Sequence, residues 1–255
     1  MNNFLTKDTE TIILLCAVLD DKSTVKPLTV TEYAKLVQWL ISVNKRPSDL
    51  MGQVNLADVF AATGINYERL DLLLSRGVQL GFAVEEWQRN GIWIISRSDN
   101  DYPARYKKQL KDKAPPLLFG IGNRELLKGG GLGIVGSRNI DFNGEIFACQ
   151  VAEKCALNNI PIVSGGARGV DQIAMSSAIE NNGLVIGILA DNLLRKSLER
   201  EVRKALNNQK LLLLSPYNPK ASFSVGTAMG RNKLIYSISD FTLVVSAEYN
   251  KGGTW

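Results

Sequence analysis

The sequence predicts an α/β protein: a doubly wound, mostly parallel sheet over residues 91–255, preceded by a small all-α domain over residues 1–90. Three observations predict it. From Leu132 onward, short continuous apolar runs alternate with helical stretches, as in a parallel sheet covered on both faces. Before Gly91 the apolar residues keep a helical period, and the segments stop at glycines. Between the two patterns, Pro103, Pro115 and Pro116 punctuate a basic connector.

The elements follow in order. Thr29-Val30-Thr31-Glu32 reads as a capping box opening a helix to about Val43. Leu56 to Thr63 precedes Gly64, Tyr67 to Arg76 precedes Gly77, and Val78 to Asn90 precedes Gly91. Such short helices are marginal alone and must pack as a bundle. Trp39, Trp87 and Trp93 fall in amphipathic segments and read as core. Ile92 to Ser96 is a short strand. The wound strands are Leu132–Val135, Pro161–Val163, Leu184–Ala190, Leu211–Leu214 and Phe241–Ala247, with helices near 143–158, 169–182, 193–208 and 227–239.

Composition narrows the chemistry. The chain has 255 residues, enough to bury roughly 70–75% of its unfolded surface without staples. It contains no histidine. A Ser-His-Asp triad, a Cys-His pair, a His general base and His-ligated zinc are therefore excluded within this chain. The three cysteines, Cys16, Cys149 and Cys155, form no Cys-x-x-Cys, so no metal or redox site is expected. Sparse thiols suit a reducing compartment, and Cys149 and Cys155 read as packing residues of one helix. The apolar run Ile12 to Leu19 is too short to span a bilayer, and Asp8 and Glu10 flank it in place of a basic segment. The expectation is a cytoplasmic protein with no membrane partner.

The net charge of +5 is unevenly spread. Residues 1–100 carry 10 basic and 12 acidic groups, 101–130 carry 7 and 3, 131–190 carry 3 and 5, and 191–233 carry 9 and 3. Local basic stretches are better evidence for phosphate binding than an average. For Arg195 to Lys204 the favoured reading is a solvated helix face.

In an open α/β sheet, ligands bind beyond the carboxyl ends of the strands. There the sequence places Gly136-Ser137-Arg138, then Ser164-Gly165-Gly166-Ala167-Arg168-Gly169-Val170-Asp171, then Ser215-Pro216-Tyr217-Asn218-Pro219. Gly230-Arg231-Asn232-Lys233 opens or precedes the last helix, and Lys251-Gly252-Gly253-Thr254 follows the last strand. Glycines let backbone N–H groups approach a ligand, helix N-termini add partial positive charge, and arginines grip phosphate oxygens in pairs. An anion is the expected ligand. Each piece also has a plain structural reading: Gly136 as a tight turn, Asp171 as a cap or loop brace, Arg231 and Lys233 as surface cations, and Tyr217 and Phe223, which could stack on bases, as packing aromatics. No Walker A motif occurs, and no G-x-G-x-x-G follows the first wound strand, since Gly131-Leu132-Gly133 precedes it.

These loops resemble a known family. Tyr102-Pro103, Pro115-Pro116-Leu117-Leu118-Phe119, Gly122-Asn123 and Ile134-Val135-Gly136-Ser137-Arg138 occur in the order found in the DNA-processing protein A (DprA, or Smf) family. Ile162 to Asp171 resembles its S-G-x-A-x-G-[IV]-D signature, Arg231-Asn232-Lys233-Leu234-Ile235 its R-N-R-x-I segment, and Phe241 to Thr254 its final strand and R-S-G-[ST] turn. The resemblance covers about residues 92–255. It implies an extended Rossmann-like domain that binds single-stranded DNA, protects incoming strands in natural transformation, loads a RecA-type recombinase and forms a homodimer. It implies no catalytic residue, metal or cofactor. Carried onto this chain, the DNA-binding residues are Gly136, Ser137, Arg138, Ser164, Gly165, Gly166, Arg168, Gly169, Arg231, Asn232, Lys233 and Lys251.

The sequence departs from the family in four places. Ala174 is followed by Met175 where relatives carry Ala-His, and Leu193-Leu194-Arg195-Lys196-Ser197 replaces a tyrosine-proline segment. Ser215 to Pro219 matches the S-E-Y-P-P turn only partly, and family members run on past the position of Trp255. Gly252-Gly253-Thr254 also resembles the P-G-G-x-G-T turn of the lysine-decarboxylase-like phosphoribohydrolases, which implies a nucleotide-cleaving enzyme as the alternative. A nucleotide-sensing module using the same pocket is a third reading.

Overall fold

A computed structural model describes residues 5–20 and 23–247. The chain divides into two compact units, Met1–Leu118 and Phe119–Trp255.

The first unit is mainly helical. Its helices are α1 (Lys7–Cys16), α2 (Val30–Ser42), α3 (Leu56–Thr63), α4 (Tyr67–Leu74), α5 (Gly77–Arg89) and α6 (Ala104–Leu110), with a short strand β1 (Trp93–Ser96). The apolar run that begins at Ile12 forms the buried face of α1; Ile12, Ile13 and Leu15 are buried, as are Tyr33, Leu36 and Leu40 of α2 and Leu70 and Leu73 of α4. The capping box of α2 forms: the Glu32 N–H donates to Thr29 Oγ1 at 3.2 Å, and the Thr29 N–H donates to Glu32 Oε2 at 2.8 Å. Gly64 ends α3 in the left-handed region, at φ 73°. The helix expected to reach Arg76 stops at Leu74, because Arg76 turns inward. Its guanidinium donates to the carbonyls of Leu14 and Ala17 and closes the C-terminal end of α1. Trp87 is buried, whereas Trp39 and Trp93 are half-buried.

The second unit is built on a twisted sheet. Its strands are β2 (Leu117–Gly122), β3 (Leu132–Val135), β4 (Ile162–Ser164), β5 (Val185–Ile188), β6 (Leu211–Ser215) and β7 (Phe241–Val244). They lie side by side in the order β2-β6-β5-β4-β3-β7. β7, β3, β4, β5 and β6 run parallel, with Leu132 opposite both Ile162 and Phe241, Ile162 opposite Val185, and Val185 opposite Leu211. β2 joins antiparallel, with Phe119 opposite Ser215. The central strands are apolar throughout because both faces are covered: Ile162, Val163, Val185, Ile186 and Leu211 to Leu214 are fully buried. The helices are α7 (Phe142–Leu157), α8 (Val170–Glu180), α9 (Leu193–Ser197), α10 (Arg200–Asn207) and α11 (Val225–Ile238).

Two differences from the expected elements have local causes. β2 was hidden in the sequence, because its glycines and the preceding prolines read as a connector. The single helix expected near 193–208 is two helices. Buried Ser197 donates its hydroxyl to the Leu194 carbonyl at 2.7 Å, and this local bond competes with the helical ladder where the chain breaks.

Candidate nucleic-acid interface

The sheet brings the turns after β3 and β4 together at its carboxyl edge. The Ser137 N–H donates to the Ser246 carbonyl at 2.7 Å, and the Val170 N–H donates to the Ser137 carbonyl at 3.2 Å. Gly136 and Gly169 permit this closeness. A Cβ at Gly136 would lie 2.6 Å from Val170 Cγ2 and 2.9 Å from the Ser246 carbonyl. A Cβ at Gly169, whose φ is +87°, would lie 2.8 Å from Arg138 Cα. Gly169 then opens α8, so that helix points its N-terminus at the same edge.

Two exposed arginines stand on this base. Arg168 Nη2 donates to Asn139 Oδ1 at 2.6 Å and ties the second turn to the first. The Arg138 guanidinium lies over the Phe223 ring, 5.3 Å from its centroid. Phe223 itself is 50% exposed and precedes the capped start of α11, where Ser224 Oγ accepts from the Thr227 N–H at 3.0 Å. The edge thus offers two cations and a half-exposed aromatic ring, which suits a phosphate chain carrying planar bases.

The other expected residues take different places. Ser164 is fully buried, and its hydroxyl donates to the Ile134 carbonyl at 2.6 Å, joining β4 to β3. Ser137 Oγ donates to the Asn139 carbonyl at 2.8 Å, within its own turn. Gly166 is half-exposed in the left-handed region, at φ +66°. Arg231 is only 4% exposed and lies against the face of Gly165, beneath the turn. Its partner is Asp171, with Nη1 3.6 Å from Oδ2, and the Gly165 N–H donates to the same oxygen at 3.2 Å. Asp171 therefore braces the turn from below. Burial pushes its carboxyl above the ordinary value, against the pull of Arg231 and two backbone N–H groups. Burial likewise pulls Arg231 below the usual guanidinium range, with Asp171 opposing. Asn232 and Lys233 are half-buried on α11. Lys251 and Gly252-Gly253-Thr254 lie outside the described residues. Tyr217 packs, donating its hydroxyl to the Thr227 carbonyl at 3.1 Å.

Sequence reading did not assign Asn139 or the pairing of Arg138 with Phe223. Phe223 follows a stretch rich in proline and serine that carries no periodic signal. Among the described residues no three His, Cys, Asp or Glu side chains gather as a metal site. No helix among them is long and apolar enough to cross a membrane.

The sequence model of the family described as DNA recombination-mediator protein A matches residues 93–255. The chain belongs to that family. Curated members are distant in sequence. DNA processing protein DprA of Bacillus subtilis is 29% identical over 171 residues, covering 65% of this chain and 56% of that protein. Protein Smf of Escherichia coli is 31% identical over 140 residues, covering 54% of this chain and 37% of that protein. The chain thus spans about half the length of the curated DprA relatives it matches. Among solved structures, DNA processing protein A of Streptococcus pneumoniae superposes with a TM-score of 0.73 at 24% identity, covering 98% of this chain and 81% of that one. The Helicobacter pylori DNA processing protein A, whose structure concerns a single-stranded DNA binding mode, superposes with a TM-score of 0.53, covering 64% of this chain and 72% of that one. The DprA fold accounts for the mostly parallel sheet and the helical region before it.

Proposed function

We propose that the carboxyl edge of the second unit binds single-stranded DNA through its backbone. In this reading the protein shields incoming strands and, as a homodimer, loads a RecA-type recombinase onto them during DNA uptake and recombination. Family membership supports the general role, and the single-stranded DNA binding of the Helicobacter pylori relative supports the ligand. The observation that carries the reading is the pairing of two exposed arginines, Arg138 and Arg168, on turns locked together by Gly169, with Phe223 open beside them.

The chemistry is binding alone. Phosphates sit against Arg138 and Arg168 and the glycine-rich turns, and a base stacks on Phe223. Ser164, Arg231 and Asp171 hold the turns from beneath. Backbone contacts fix position without reading sequence.

A labelled oligonucleotide titrated across salt tests the reading. Binding should weaken steeply, with a logarithmic slope near −0.7 per phosphate neutralised. Arg138→Ala should lower affinity about tenfold or more for every sequence, as loss of a charge-assisted contact does. Absence of salt-sensitive binding at low ionic strength would refute it. Incubation with nucleoside monophosphates separates the enzymatic alternative, because release of free base would favour phosphoribohydrolase chemistry.

A further inference from the structure

The connection from β5 to β6 carries charge that the turns described above do not use. Residues 195–204 hold Arg195, Lys196, Arg200, Arg203 and Lys204 against Glu199 and Glu201. Lys196 is taken by Glu199, at 2.7 Å. Arg195, Arg200, Arg203 and Lys204 are exposed, and their side chains form no hydrogen bond or ion pair among the described residues. Arg200, Arg203 and Lys204 stand three and four residues apart, so they share one face of α10. The opposite face, Val202, Ala205 and Leu206, is buried. Like charges at that spacing repel, and Glu180, Glu199 and Glu201, which line the same cavity as Lys204, form no ion pair with it or with Arg203 among the described residues. Unpaired cations on one exposed helix face can take a ligand of opposite charge.

Position indicates which ligand. β5 lies next to β4 in the sheet, and α9 opens just beyond the carboxyl end of β5. Arg195 therefore stands on the same edge as Arg168, one strand along, and α10 carries its cations from that edge back toward the amino end of β6, where the Lys210 N–H donates to the Ala205 carbonyl. Residues 195–204 contain no aromatic side chain, so this face can grip a phosphate chain but cannot stack bases.

We infer that α9 and α10 form a second polyanion contact, over which the flanking nucleotides of the single strand held at the turns continue. This rests on the proposed DNA-binding reading. Guanidinium groups without partners take phosphate oxygens in pairs, and the contact is indifferent to sequence.

The test compares the wild-type protein, the R200Q/R203Q/K204Q variant and Arg138→Ala on oligonucleotides of about 6 and about 20 nucleotides across salt. The wild type should show a steeper salt slope on the long strand. The triple variant should lose about 2 units of that slope and bind the long strand tenfold or more weaker, while holding the short strand as the wild type does. Arg138→Ala should weaken both lengths. R203Q alone, a single exposed change, should give a partial loss on the long strand and guards against misfolding of the triple variant. Wild-type affinity and slope of both variants on the long strand would overturn the inference alone and leave α10 to an acidic protein partner. Failure of the wild type to bind either length would overturn the DNA-binding reading and this inference together.

Discussion

Gly165→Ala is a small substitution with a large expected consequence. Gly165 does not lie in the left-handed region, so its backbone accepts alanine. The added Cβ, however, would fall on Cζ and Nη1 of Arg231 and come within 2.5 Å of Nη2. The guanidinium must then leave a place where it is 4% exposed and paired with Asp171. Asp171, 6% exposed, would lose the cation that opposes the upward push of burial on its carboxyl. Breaking a buried pair in this way costs about 3–5 kcal/mol. Arg231→Ala should cost a similar amount for the same reason. In the Arg231→Ala background, Gly165→Ala meets no guanidinium and should cost less than about 1 kcal/mol. Urea denaturation of the four proteins of this cycle, followed by far-ultraviolet circular dichroism, measures the coupling. A destabilisation by Gly165→Ala that is equal in both backgrounds, within about 0.5 kcal/mol, would refute the idea that Arg231 fills the face of Gly165.

Two further outcomes are expected. The Arg69 guanidinium holds the Glu32 carboxyl down to about 2, from an ordinary value of 4.5, at a site 31% exposed. A depressed carboxylate stabilises above its unfolded value and stops doing so as pH falls through the folded one. Glu32→Gln should therefore lower the stability of the first unit by about 1–2 kcal/mol at neutral pH, after allowance for solvent screening. The deficit should shrink between pH 4.5 and about 2, read by tryptophan fluorescence in urea; a constant deficit across that window would count against the ion pair. Phe223→Ala should weaken oligonucleotide binding by about 1–3 kcal/mol without changing the salt slope, because in the proposed mode a base stacks there and no charge is lost. A changed slope would mean that Phe223 acts by holding Arg138, whose guanidinium lies over its ring.

Much of the wound sheet was legible because its strands are short, wholly apolar and separated by helical periods. Leu132–Val135 has the expected bounds, and the neighbouring strands shift by one to three residues at their ends. β2 was not legible, since Leu117–Gly122 contains two glycines and pairs antiparallel with a strand almost a hundred residues away in sequence. The break between α9 and α10 was also invisible, because Ser197 is compatible with a helix until its hydroxyl finds the Leu194 carbonyl. For the interface, the glycine-rich turns and their cations could be found from their position after strands. Their division of labour could not. Arg138, Arg168 and Arg231 are alike in sequence, yet the first two are exposed and the third is buried beneath Gly165.

The sequence by itself determined the class of the protein and the chemistry open to it. Period and run length set helices before strands, the absence of histidine removed the familiar hydrolytic machinery, and ordered glycine motifs marked a candidate anion-binding edge. Tertiary structure alone decided which of those groups face solvent. Exposure depends on residues distant in the chain, so local pattern carries no record of it: Gly165 leaves the space that Arg231 occupies, Asp171 holds both, and Phe223 meets Arg138 only when α11 folds back to the sheet.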